Sequence, residues 1–308
     1  MKNRWTTNDI PDQSGKIIVI TGANSGLGFS STKALAAKGA KVVLAVRNLQ
    51  KGQAAMDEVK QAVPEADLVL MKCDVSDLES VKQFVEAFRG AFTHADILMN
   101  NAGIMATPPM TSPQGFEAQF ATNHLGHFAL TGLMLGTLAQ APNGARVVNV
   151  SSLAARQGQM QFDDINWRNN YHPFKVYSQS KLANQLFTYA LQKRLERSPY
   201  NNITAHVAHP GGSNTNLVDA IQLPKLLKRI LIPVVMPMAM SADQGALPQL
   251  YAATAPQAEP GGYYGPHAIN EVRGYPKPAK VPAQAKSLEA QNRLWEMSEE
   301  MTGVNYLS

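Results

Sequence analysis

Cysteine is nearly absent: Cys73 is the single one in 308 residues, so neither an intrachain disulfide nor a multi-thiolate metal site can form. This suits a reducing cytoplasm, with Cys73 expected to be a small buried hydrophobe. Charge is sparse as well, at 17% charged against 44% hydrophobic residues, the balance of a folded chain rather than a disordered one. Long apolar runs are missing. The longest, residues 230–240, is too short to cross a bilayer and carries Pro233 and Pro237. The first 13 residues are polar and lack the apolar centre of a signal peptide, so no membrane anchor is expected. The net charge of +5 invites anionic partners, yet the 28 basic residues are scattered, with one loose cluster at Lys225, Lys228 and Arg229. Nucleic-acid binding needs a basic stripe interleaved with stacking aromatics, and the sequence has none.

What the sequence does have is alternation. Residues 16–21 form a β-branched run ending at Gly22, and Ala23-Asn24-Ser25-Gly26-Leu27-Gly28 leads into a helical pattern reaching Lys38. A second strand spans 41–46. In this context three glycines let the backbone approach a pyrophosphate at a helix N-terminus, which predicts a dinucleotide site. NAD-binding units usually end the second strand with an acidic residue for the ribose 2′-hydroxyl. Here the position holds Arg47, followed by Asn48. A guanidinium fits a 2′-phosphate, so the expected cofactor is NADP(H) rather than NAD(H).

The pattern continues with helix 51–62, strand 68–72, helix 77–92 and strand 96–100. Asp74, beside Val75, either accepts from an adenine amino group or N-caps the following helix. Asn100-Asn101-Ala102-Gly103 ends the fourth strand, where ligands gather on a parallel sheet. A helix over 113–140 carries Asn123 in its interior. Asn disfavours that place, so it either bonds backbone in a bulge or serves a site. Strand 145–150 runs into Ser151-Ser152, and an irregular segment, 153–172, precedes helix 173–197. Strand 203–209 ends at Pro210-Gly211-Gly212-Ser213-Asn214-Thr215, a turn suited to the nicotinamide edge, followed by an apolar flap over 216–240 expected to close over substrate. Helix 242–253 and a short strand at 262–264 finish the sheet. Residues 266–282 read as loop, and 287–301 as a peripheral helix. No linker divides the chain, so one α/β domain over 14–270 is expected, with an N-terminal tail, 1–13, and a C-terminal extension, 271–308.

Within helix 173–197, Tyr177 and Lys181 are four residues apart and share a face. A phenol has a pKa of about 10 and is a poor base near neutrality. An ammonium about 4 to 5 Å away favours phenolate by about 3 to 4 kcal/mol, some two pKa units, which would make Tyr177 a usable acid or base. Two histidine pairs, His124 with His127 and His206 with His209, invite a metal reading, but no acidic or Cys ligand joins either at a suitable spacing, so no metal is expected. Trp167 and Tyr171 either line a substrate mouth or pack the loop.

Thr21-Gly22-x-x-x-Gly26-x-Gly28, Asn100-Asn101-Ala102-Gly103, Asn123, Ser152 and Tyr177-x-x-x-Lys181 together resemble the short-chain dehydrogenase/reductase family. The resemblance implies a Rossmann-like, doubly wound parallel sheet of about seven strands with helices on both faces. It implies a tetrad in which Tyr177 is the general acid or base and Ser152 polarises the substrate oxygen. Lys181 lowers the Tyr pKa and holds the nicotinamide ribose, and Asn123 carries a proton relay through water. Ser152 is preferred to Ser151 because the family's serine is the second of such a pair. The cofactor set implied is Gly22, Asn24, Ser25, Gly26, Leu27, Gly28, Arg47, Asn48, Asp74, Val75, Asn101, Ala102, Gly103, Tyr177, Lys181, Pro210, Gly211 and Thr215. Ala45-Val46-Arg47-Asn48, Asn123-His124-Leu125-Gly126-His127-Phe128 and Ser180-Lys181-Leu182-Ala183-Asn184 are similar to the retinol dehydrogenase branch, with WW-domain oxidoreductases nearby. The expected activity is hydride exchange between NADP(H) and a carbonyl or secondary alcohol, on a lipophilic small molecule, with a homo-oligomer left open. The competing class, a sensor or interaction protein that keeps the fold without chemistry, would show a damaged tetrad, and all four positions are filled.

Overall fold

The structure, a computed structural model, describes residues 4–212 and 240–307. Most of the flap expected over 216–240, and Thr215, lie outside the described residues. The chain alternates β1 (Ile17–Thr21), α1 (Gly26–Ala36), β2 (Lys41–Val46), α2 (Leu49–Ala62), β3 (Asp67–Lys72), α3 (Leu78–Ala91) and β4 (Ile97–Asn100). A short α4 (Ala118–Phe120), a π-helical turn (Ala121–Leu125) and α5 (Gly126–Ala139) follow. Then come β5 (Ala145–Val150), α6 (Pro173–Glu196), β6 (Ile203–Ala208), α7 (Ala242–Thr254), β7 (Tyr263–Ala268), β8 (Arg273–Pro278) and α8 (Leu288–Thr302).

The strands form one sheet in the order β3-β2-β1-β4-β5-β6-β7-β8. Neighbours are parallel through β7, and β8 returns antiparallel. In strands β1, β2 and β4 every residue is buried except Ile17 and Lys41 at the first positions of β1 and β2, because both faces are covered. Phe84, Phe88, Phe128 and Phe187 pack on one face, and Leu35, Met56 and Leu250 on the other. The strand order reverses between β1 and β4, which opens a crevice at their carboxyl ends.

Local signals set the helix ends. Asn48 accepts from the Lys51 amide at 2.9 Å and starts α2 two residues earlier than the apolar pattern indicates. Gly303 ends α8 in the left-handed conformation. The helix expected over 113–140 begins only at Ala118. Thr111 and Glu117 form an antiparallel bridge, and Gly115 turns the chain between them at φ +81°.

The remaining differences lie at the chain's two ends. The segment read as loop over 266–282 contains β8, an edge strand, which is the place in a sheet that tolerates Pro276 and Pro278. The sheet therefore has eight strands where about seven are expected. Helix α8 lies outermost, yet Trp295 is 2% exposed and packs with Phe128, Phe187 and Tyr306. In the N-terminal tail Trp5 packs edge-on to Tyr251. No helix among the described residues is long and apolar enough to cross a membrane.

Burial holds three imidazoles neutral: it pushes His124 and His206 down to about 3 and His127 to about 4. Their folded pKa values lie below the unfolded value near 6.5, so the stability they contribute is complete above pH 6.5 and is lost as pH falls toward 4. Unfolding should take up about three protons in that window, a slope approaching about 4 kcal/mol per pH unit. Denaturant titrations at stepped pH measure it, and a flat profile between pH 6.5 and 4 would contradict the neutral assignment.

Candidate active site

At the carboxyl end of β1 the chain makes a backbone cradle. Gly22 and Gly26 have φ of +64° and +54°. A Cβ at Gly28 would collide with the Gly22 carbonyl oxygen, and one at Gly22 would crowd Ala102 at 3.1 Å. Ser25 is the N-cap of α1, but its side chain caps nothing. The first-turn N–H groups of α1 are thus left for a ligand, and the glycines allow its close approach. Asn24, Ser25 and Leu27 keep exposure on this rim.

Thr21 fastens the cradle to the loop after β4. Its hydroxyl accepts from the Asn101 and Ala102 amides at 2.9 and 3.0 Å, and the Asn101 side chain donates to the Thr21 carbonyl at 2.8 Å. The same hydroxyl is 2.9 Å from His127 Nε2, and His127 Nδ1 lies 3.1 Å from the Asn123 carbonyl. Because a carbonyl only accepts, Nδ1 carries the proton and Nε2 accepts from Thr21. In the sequence Thr21 and His127 are marked only as motif members, His127 also in the discarded metal pair, and neither is assigned this bracing role. The strand-end hydroxyl and the His four residues after Asn123 were the available signals.

Asn123 is fully buried in the π turn. Its Oδ1 accepts from the Ile104 amide at 2.8 Å, and its Nδ2 donates to the Ile104 carbonyl and to Ser180. The bulge alternative is the one observed: from a π turn the amide bonds the Ile104 backbone, across Gly103 from Lys181. A Cβ at Gly103 would be 3.0 Å from Asn123 Oδ1 and 3.2 Å from Lys181 Nζ, which accounts for the glycine.

The two serines divide as the strand alternation requires. The Ser151 hydroxyl is buried, donating to the Lys181 carbonyl at 2.7 Å. The Ser152 hydroxyl instead lies near enough to the Tyr177 phenol to lower its pKa, and it accepts from the Ala154 amide at 3.2 Å. Lys181 Nζ donates to the Val150 carbonyl at 3.0 Å and lies 5.9 Å from the centre of the Tyr177 ring. Asn123, Ser152, Tyr177 and Lys181 thus converge at the carboxyl edge.

The electrostatics differ from the expectation that Lys181 lowers the Tyr177 pKa. Burial raises the Tyr177 pKa, and the nearby Ser152 hydroxyl lowers it only in part. Lys181 itself is pushed down to about 8 by burial. Desolvation outweighs a charge held against a carbonyl rather than against the phenol oxygen.

Of the adenine-side residues, Arg47 is 75% exposed in its side chain, with Nε 3.9 Å from an Asp74 oxygen. Asn48 spends its side-chain oxygen on the α2 cap. Asp74 is not the N-cap of α3; Asp77 is. Asp74 instead accepts from the Ser76 amide and hydroxyl at 3.0 and 2.6 Å. Val75 is buried, its carbonyl pressed against Gly126. At the other end of the crevice Pro210 is half-buried and Gly211 takes φ +69°. Tyr171 donates to the Thr107 carbonyl at 3.0 Å and contacts Glu117, bracing the loop that follows Gly103. Among the described residues no three His, Cys, Asp or Glu side chains are grouped to hold an ion.

Comparison with known proteins gives the same picture. The family profile described as short chain dehydrogenase matches residues 16–225. Retinol dehydrogenase 12 of Mus musculus is 37% identical over 304 residues, covering 98% of this chain and 90% of that protein. Polyprenol dehydrogenase of Homo sapiens is 34% identical, covering 96% and 87%. Among solved structures, an uncharacterised protein of Mycobacterium paratuberculosis superposes with a TM-score of 0.81 at 39% identity, covering 98% of this chain and 99% of that one. A Shigella flexneri short chain dehydrogenase complexed with NADP has a TM-score of 0.63 at 20% identity over 82% of this chain and 97% of that one, a likeness of fold. A glycine cradle, a nearly full-length match to retinol dehydrogenases and a shared sheet leave one assignment: the chain belongs to the short-chain dehydrogenase family, in its retinol dehydrogenase-like branch.

Proposed function

We propose that the protein is an NADP(H)-dependent oxidoreductase interconverting a carbonyl and a secondary alcohol on a lipophilic small molecule. The observation that carries this reading is the gathering of Ser152, Tyr177, Lys181 and Asn123 beside the glycine cradle, with the Ser152 hydroxyl near enough to the Tyr177 phenol to lower its pKa. When bound, the nicotinamide exchanges a hydride with the substrate carbon. Ser152 holds the substrate oxygen, and Tyr177 delivers its proton to that oxygen in reduction or removes it in oxidation. Burial keeps the phenol protonated near neutrality, the form that reduction needs. Lys181 and Asn123 fix the floor of the site through the Val150 and Ile104 backbone.

Two observations support a lipophilic substrate. Phe174, 45% exposed, is on the Tyr177 face of α6 one turn earlier. The names of the relatives, retinol and polyprenol dehydrogenase, denote apolar alcohols. We also propose a cytoplasmic location, on the single buried thiol of Cys73, whose pKa burial pushes up to about 12.

NADP(H) preference rests on Arg47. An exposed ion pair at 3.9 Å contributes little, so the guanidinium is free to turn to a 2′-phosphate. Arg47→Asp should weaken NADP(H) binding about tenfold to a hundredfold and shift preference toward NAD(H). Titrating both cofactors against both proteins measures this, and an unchanged affinity ratio would remove the assignment. A panel of carbonyls and alcohols with both cofactors tests the activity. Tight cofactor binding without turnover on a broad panel would favour the sensor reading.

A further inference from the structure

A second cluster of charged groups lies at the same sheet edge, unused by the roles above. Glu271, in the β7–β8 connection, places Oε2 2.6 Å from Arg156 Nη2 and 3.1 Å from His209 Nε2, while Oε1 accepts from the Lys280 amide at 3.0 Å. The Gly211 amide donates to His209 Nδ1 at 3.2 Å. Nδ1 is therefore the ring's acceptor, and Nε2–H donates to Glu271, a neutral imidazole aimed by a carboxylate. His209 precedes the Pro210-Gly211 turn, and Arg156 lies four residues beyond Ser152. One carboxylate thus ties together the segments leaving β5 and β6.

The surrounding chain is shaped to permit this. Ile269, Asn270 and Glu271 are three successive non-glycine residues in the left-handed region, with φ of +49°, +51° and +68°, a conformation that costs free energy and persists only when surroundings enforce it. A Cβ at Gly265 would occupy the His209 ring, and one at Gly211 would strike the Val272 carbonyl oxygen. Arg156 also bonds the Asn270 carbonyl at 3.2 Å, and the Gly212 amide donates to Val272 at 2.7 Å. A buried ion pair is a poor source of net stability, because desolvation offsets most of the attraction, so its contribution here is geometric.

We propose that Glu271 is a positioning residue for the reaction, holding the Ser152 segment through Arg156 and the Pro210-Gly211 turn through His209 in a fixed relation. The proposal rests on the oxidoreductase reading. Misplacing reacting groups by about 1 Å costs up to about a hundredfold in rate, so the effect belongs in kcat rather than in cofactor affinity.

The experiment compares the parent with Glu271→Ala, Glu271→Gln, Arg156→Gln and Tyr177→Phe. Its readouts are hydrogen exchange of the cofactor-free proteins, NADP(H) affinity, and kcat and KM on a carbonyl that the parent reduces. Glu271→Ala should speed amide exchange about tenfold in residues 153–158 and 209–212, lower kcat about tenfold to a hundredfold, and leave cofactor affinity within about threefold. Glu271→Gln keeps the shape and should restore part of both effects. Arg156→Gln leaves the His209 pair intact and should loosen only 153–158, which serves as the test should Glu271→Ala fail to fold. The proposal is overturned if exchange changes only in the hairpin, or if kcat stays within about twofold of the parent while Tyr177→Phe is inactive. Activity surviving in Tyr177→Phe would instead overturn the oxidoreductase reading.

Discussion

Tyr177→Phe should lower turnover about 10³-fold while NADP(H) affinity stays within about threefold of the parent, because general acid–base catalysis contributes about 10² to 10⁴. The substitution removes one oxygen and leaves the ring in place. That ring packs in α6, and the Lys181 bond to the Val150 carbonyl does not involve the phenol. Ser152 loses a polar neighbour but keeps the Ala154 amide. Cofactor titration and single-turnover rates on the same preparation separate binding from chemistry. Near-normal turnover with an accepted carbonyl would take Tyr177 out of the mechanism.

Gly126→Ala should have the largest effect on stability of any single-methyl change at the site. Gly126 begins α5 directly after the π turn, and an added Cβ would overlap the Val75 carbonyl oxygen. The contact is backbone against backbone, so no side chain can rotate away. Either α5 shifts, moving Asn123 from Ile104, or the segment after β3 shifts and disturbs Asp74. Overpacking of this kind costs about 3 kcal/mol. Denaturant unfolding of both proteins measures it, and a loss below about 0.5 kcal/mol would show that the helix can slide, contradicting tight docking of the π turn.

The sheet and the cradle were legible because their signals are local. Residues 17–21 and 41–46 are apolar runs interrupted only by Thr21 and Lys41 at their ends, as suits strands covered on both faces, and the glycines between them read as a turn. Tyr177 and Lys181 were legible as a spacing, Asn123 and Ser152 only through the family resemblance, and of the two serines it is Ser151 whose hydroxyl is turned to the Lys181 carbonyl. The electrostatic sign at Tyr177 was not legible. A spacing of four gives the nearness of a lysine, but desolvation depends on everything packed around the phenol, which no spacing encodes. Glu271 and His209 are 62 residues apart in sequence and meet only because β8 folds back on β7. The strand β8 itself was hidden by its prolines, which argue against a strand everywhere except at an edge.

Those prolines bear on how copies of this molecule could assemble. The Ala279 and Tyr275 amides point toward β7, so the even-numbered positions of β8 face outward. Two of these, Pro276 and Pro278, have no N–H to offer, and a third, Gly274, gives its own to Met240 Sδ. An incoming strand finds no donors to zip against, which guards this flank against fibrous stacking. At this flank, self-association has to come from side-chain contacts rather than from strand pairing.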